Sequence, residues 1–141
     1  MQYLASGTKR EVYDLGNGCV LKIAKNEVGV ASNRRELQLY RSSPSILQKY
    51  LAPVLSGNAE WLVMHKYERK MPLHPKYLAW LDIIERRFRD YGIEPKDLTF
   101  LGQPIMQNLR IDRQGRIILI DYGSFFELNT PFAGSPGTRT G

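Results

Sequence analysis

Apolar and polar residues alternate through the first third of the chain, which is the period of half-buried strands. Residues 3–6 and 11–15 read as two short strands, and 19–25 as a third. Gly16-Asn17-Gly18 joins the last two as a tight turn, since Asn and Gly accept positive φ. In the third strand Cys19, Leu21 and Ile23 share one face, while Val20, Lys22 and Ala24 share the other. A helix is predicted from Val28 or Ser32 to Arg41, ended by Ser42-Ser43-Pro44. Residues 51–55 and 61–67 read as two more strands around Ser56-Gly57-Asn58. The clearest helix follows: Pro75 suits its first turn, Tyr77, Leu81, Ile84, Phe88 and Tyr91 recur at four-three spacing, and Gly92 stops it. Beyond a predicted loop over 93–107 comes a hairpin, 109–112 and 117–120 around Arg113-Gln114-Gly115. The pattern is α+β.

Composition narrows this picture only a little. A chain of 141 residues, 43% hydrophobic and 24% charged, has one ordinary globular domain's worth of core. Its single cysteine, Cys19, excludes an internal disulfide and fits a reducing cytoplasm. No apolar run has the length of a signal peptide or membrane span, so the expected location is cytoplasmic. The net charge of +6 invites a nucleic-acid reading. The cations are scattered, however, and the densest group, Arg86, Arg87 and Arg89, suits a solvated helix face. A nucleic-acid module built on that helix and the tail would bind with steep salt dependence. Residues 129–141 are rich in Pro, Gly, Ser and Thr and read as a flexible or partner-ordered tail, with Thr130, Ser135, Thr138 and Thr140 as modification candidates.

Several residues carry potential chemistry. Asp121, in Asp121-Tyr122-Gly123, follows four apolar strand residues, where a carboxylate needs a metal, a helix N-terminus or a basic partner. Lys22 projects from an apolar strand face and wants a phosphate or carboxylate within reach. Glu36, in the helix that follows, is one such carboxylate; it can alternatively cap together with Asn33. Gly7, between two strands, suits a phosphate-cradling turn or a plain connection.

Taken in order, these pieces run strand, Gly turn, strand, strand with Lys, helix with Glu, two strands, long helix, loop with Asn, hairpin, Asp-Tyr-Gly. The order resembles the protein-kinase-like superfamily, including its aminoglycoside and choline kinase branches, over about residues 3–126. The resemblance implies a five-stranded antiparallel N-lobe sheet with one helix (1–67) and a much reduced C-lobe (68–128) ahead of the tail (129–141). It makes Leu4 to Val12, with Gly7 and Thr8, the glycine-rich loop, and puts Leu4, Val12 and Val20 against an adenine. Lys22 would hold phosphates and Glu36 would hold Lys22. Met64 would stand at the entrance to a hinge in which His65, Lys66 and Tyr67 offer backbone groups. Asn108 and Asp121 would bind Mg²⁺, and the ligand would be ATP.

Departures from the family pattern temper the expected activity. Gln103 stands where the catalytic-loop aspartate belongs, five residues before Asn108. Asp97 replaces it as base if the loop carries an insertion; otherwise Asp97 caps a turn after Pro95. Lys9 and Arg10 replace small residues in the glycine-rich loop and either contact phosphates or face water. Arg110 occupies the usual apolar adenine floor. Only eighteen residues follow Gly123, so a peptide-substrate platform would come from a partner or a second copy. Apolar surface on the long helix would favour such an association unless Phe125, Phe126 and Phe132 cover it. Two functions follow from the resemblance: a minimal phosphotransferase acting on itself or on a protein, or a pseudokinase that senses nucleotide and binds a partner. Adenylyl transfer is a variant of the second.

Overall fold

The computed structural model describes residues 1–128. Five antiparallel strands, β1 (Gln2–Ser6), β2 (Arg10–Asp14), β3 (Cys19–Ala24), β4 (Val54–Gly57) and β5 (Trp61–His65), form one sheet in the order β1-β2-β3-β5-β4. Both faces of β3 are partly covered, and Lys22 is its most buried residue. Lys22 is buried with its face turned to the interior, opposite Val12 of β2 and Leu62 of β5.

Helix α1 (Glu27–Ser42) packs across β3, β4 and β5. It starts earlier than predicted because Asn26 caps it, its side chain accepting from the Gly29 N–H at 3.0 Å. This overturns the capping alternative for Asn33 and Glu36, which lie in mid-helix and are fully buried. A short helix not predicted from sequence, α2 (Ser45–Gln48), follows.

The strand expected from residue 51 begins only at Val54. The backbone of residues 50–52 is committed elsewhere: Leu119 N–H donates to Tyr50 O at 2.7 Å and Ala52 N–H to Leu119 O at 2.9 Å. These bonds fasten the sheet to the second half of the molecule.

That half holds α3 (Pro75–Asp90), with Tyr77, Leu81, Ile84 and Phe88 buried as the four-three spacing predicts, and Tyr91 exposed beyond its end. The segment expected as a loop contains three two-residue strands: β6 (Ile93–Glu94), β7 (Thr99–Phe100) and β8 (Gln103–Pro104). β7 and β8 form a small hairpin, and β6 pairs with β11 (Phe126–Glu127). A 3₁₀ turn (Met106–Asn108) leads into the predicted hairpin, β9 (Leu109–Ile111) with β10 (Ile117–Leu119).

One apolar cluster joins both halves, from Leu39, Leu62 and Met64 to Phe88, Leu109, Leu119, Tyr122 and Phe125. Phe125 is buried edge-on to Phe88, whereas Phe126 is exposed. The predicted tail, with Thr130, Phe132, Ser135, Thr138 and Thr140, lies outside the described residues. Among those residues no helix is long and apolar enough to cross a membrane.

Candidate nucleotide site

The expected Lys22–Glu36 pair forms, with Lys22 Nζ 3.1 Å from Glu36 Oε1. Lys22 also donates to Ile120 O at 2.7 Å, which draws the end of β10 toward the sheet. Glu36 is wholly buried and accepts from more than lysine. Its Oε2 takes the Tyr122 N–H at 2.8 Å and the Gly123 N–H at 3.1 Å. The carboxylate therefore reads the backbone of the Asp-Tyr-Gly segment directly.

A further cation completes the cluster. Arg10, the first residue of β2, is only 7% exposed. Its Nη1 lies 2.8 Å from Glu36 Oε1 and 2.9 Å from Asn33 Oδ1, and its Nη2 lies 3.2 Å from Glu36 Oε2 and 2.8 Å from Asp121 Oδ1. Burial excludes solvent, one of the two sequence alternatives for Arg10; the residue borders the cleft in front of the cluster, where its terminal nitrogens already meet side chains. The backbone leaves the side chain little choice. Lys25 N–H donates to Lys9 O at 2.8 Å, Asn26 Nδ2 to Thr8 O at 2.8 Å, and Lys25 Nζ to Gly7 O at 2.9 Å. The β1–β2 turn is thus docked on the start of α1. Gly29 permits the close approach, since a Cβ there would lie 2.1 Å from Lys9 O.

Two anions and two cations share this interior. Burial would push the Glu36 carboxyl up, but Lys22 and Arg10 outweigh it and hold the group well below the ordinary carboxylate range. Asp121 shifts the other way: burial raises its carboxyl, with Glu36 adding to the effect and Lys22 and Arg10 opposing it. The Asp121 side chain nevertheless keeps 47% exposure. No described residue donates to its second oxygen.

A cleft of about 770 Å³ opens in front of the cluster. Leu4 and Val12 from the first two strands, Gly7 and Thr8 from the turn between them, and Arg10 border it, as do Val20 and Lys22 from β3. Met64, His65, Lys66 and Tyr67 form another wall, and Asn108 and Asp121 the far side. Two amides of the segment expected as a hinge are already engaged, His65 N–H with Pro53 O at 3.0 Å and Lys66 N–H with Gly18 O at 2.8 Å. Lys66 Nζ bonds Asp14 at 2.5 Å. Arg110 borders the cleft too, but its Nη1 turns to the carbonyls of Leu109 (2.9 Å) and Gln107 (3.3 Å), and Ile120 supplies apolar surface beside it.

Asp97 and Gln103, the two candidates for the base, do not line the cleft. Gln103 sits exposed in β8. Asp97 is exposed at φ 65°, a left-handed conformation uncommon for a residue with a side chain. Asn108 Nδ2 donates to its carbonyl at 2.8 Å. The β7–β8 hairpin therefore loops out between two residues that are spatial neighbours.

Comparison with solved structures agrees with this architecture. The ROP18 kinase domain in complex with AMP-PNP and sucrose superposes with a TM-score of 0.56 at 16% identity, over 95% of this chain and 53% of that one. The Legionella pneumophila Lpg2603 kinase bound to IP6 gives a TM-score of 0.61 at 15% identity, over 89% of this chain and 50% of that one. The fold is kinase-like. This chain spans about half the length of either kinase domain. No protein-family model and no curated protein sequence matches it.

Proposed function

We propose that the cleft binds ATP with magnesium and that the chain is a minimal phosphotransferase acting on a protein, itself or a partner. One observation carries this reading: Lys22, Asn108 and Asp121 border a single cleft, with Glu36 paired to Lys22 directly behind it. Phosphoryl transfer asks a protein mainly for positioning and charge neutralisation, and these groups supply both. The kinase neighbours solved with AMP-PNP and with IP6 add support at the level of the fold.

Val12, Val20, Ala52 and Met64 offer an apolar slot of the kind a purine fills. With the His65 and Lys66 amides engaged, the Tyr67 N–H is the hinge donor left for an adenine edge. Asp121 and Asn108 each keep one oxygen without a donor, a hard oxygen pair that fits Mg²⁺. The ion would neutralise phosphate charge there. Asp97, held beside Asn108 through its carbonyl, is the better candidate for the base than Gln103, with the hairpin as the insertion that moved it in sequence.

A second reading, a nucleotide-sensing module without transfer, is favoured by one fact: neither candidate base lines the cleft. The first experiment is the melting temperature with and without ATP and Mg²⁺, for the native chain and Asp121→Ala. Nucleotide at about one hundred times its Kd adds roughly 2.7 kcal/mol. A magnesium-dependent rise that is lost in the variant supports the site. No rise with any nucleotide or metal refutes both readings.

A further inference from the structure

The position of Arg10 bears on how many metal ions the cleft holds. Two-metal phosphoryl transfer needs carboxylate oxygens shared between the cations. Here Asp121 Oδ1 already accepts from Arg10 Nη2 at 2.8 Å. We propose that Arg10 stands in for one divalent cation at Asp121, so that nucleotide is held with a single metal ion. The proposal rests on the nucleotide reading above.

Three features of the geometry support it. The first is permanence. Arg10 is gripped through both terminal nitrogens by Glu36, is bonded to Asn33, and directly follows a turn docked to α1. Withdrawing it would leave a buried carboxylate with half of its cationic support. The second is saturation. The four terminal N–H groups of Arg10 meet four acceptor contacts, on Asn33, both Glu36 oxygens and Asp121, so they are spent before any phosphate arrives. With those groups engaged, Arg10 borders the cleft but acts through Asp121 as a positioning residue.

The third is charge. Arg10 and Lys22 balance Glu36 and Asp121 within the cluster. A guanidinium stays protonated at any pH the protein tolerates, so this neutralisation is fixed, whereas a bound metal exchanges with solvent. The one Asp121 oxygen left, with the Asn108 amide oxygen, makes a donor pair for one octahedral ion that completes its shell with phosphate and water.

The test uses Mn²⁺ as the probe and AMP-PNP as the nucleotide. Bound nucleotide is measured by calorimetry and bound Mn²⁺ by electron paramagnetic resonance. The native chain is expected to hold one Mn²⁺ per nucleotide. Arg10→Met, which removes the charge and keeps the bulk, is expected either to take up a second Mn²⁺ or to bind the first about tenfold more tightly. Two Mn²⁺ per nucleotide on the native chain overturn the proposal and leave the nucleotide site standing. An Arg10→Met chain that binds Mn²⁺ as the native one does also overturns it. Should that variant not fold, the native count alone decides. Failure of AMP-PNP to bind at any Mn²⁺ concentration overturns the nucleotide reading and this proposal together.

Discussion

Replacing Glu36 by Gln is the sharpest test of the ion cluster, because the change is nearly isosteric and removes only charge and acceptor capacity. The carboxylate accepts from Arg10, Lys22 and the Tyr122 and Gly123 N–H groups, with no exposure to water. A Gln amide can present one oxygen to half of these donors, and its own N–H groups then face the other half. Arg10 and Lys22 are left with Asp121 as the sole nearby carboxylate. Breaking a buried ion pair by removing one partner costs about 3–5 kcal/mol. For a domain of this size that is a fall in Tm of about 10–20 °C.

The pH dependence supplies a second reading of the same variant. The folded pKa of Glu36 lies below its ordinary value of 4.5, so its contribution is complete above that value and is lost as pH falls below it. Asp121, raised by burial, works in the opposite sense and favours the folded state on protonation. Urea denaturation at pH 7 and near pH 3 should show the native chain losing more stability on acidification than Glu36→Gln does. A penalty under about 1 kcal/mol at pH 7, or identical acid slopes, would refute the argument that Glu36 is the charged centre of the fold.

Other substitutions probe single contacts. Gly123→Ala places a Cβ 2.8 Å from Ser32 O and 2.9 Å from Ser32 Cβ, so α1 must shift, at about 1–3 kcal/mol in denaturant melts. Tyr122→Phe strands the buried Ala52 carbonyl, now bonded at 2.7 Å, and should cost about 1–2 kcal/mol in denaturant melts. Asp97→Asn should slow phosphate transfer by about a hundredfold or more while leaving nucleotide binding intact, and Gln103→Ala should do neither. Equal transfer rates for native and Asp97→Asn would remove Asp97 as the base, whereas nucleotide binding with no transfer by the native chain would favour the sensing module.

The sheet, α3 and the β9–β10 hairpin were legible because their periods are clean. Lys22 was legible too, since an alternation of two put it on an apolar face. The start of β4 was not, because residues 50–52 bond to β10, a partner far along the chain. The β7–β8 hairpin escaped notice because two-residue strands carry no period at all. Arg10 was read as a phosphate contact or a solvated cation, and its pairing with Glu36 and Asp121 was missed, because nothing within Lys9-Arg10-Glu11 points to a buried carboxylate. The signal was present in the strand itself. Arg10 and Val12 are two residues apart in β2, so assigning Val12 to the ligand face already assigned Arg10 to it.

The bonds from Tyr122 and Gly123 to Glu36 have a mechanical consequence. In many kinases the glutamate helix swings outward and returns, and that swing switches catalysis. Here α1, the head of β2 and the Asp-Tyr-Gly backbone are riveted at one carboxylate, and Gly123 sits flush against Ser32. Rotating α1 away would unfasten all three at once and part Glu36 from Arg10 and Lys22. An outward swing of α1 would therefore have to carry the Asp-Tyr-Gly segment with it or break both of its bonds to Glu36.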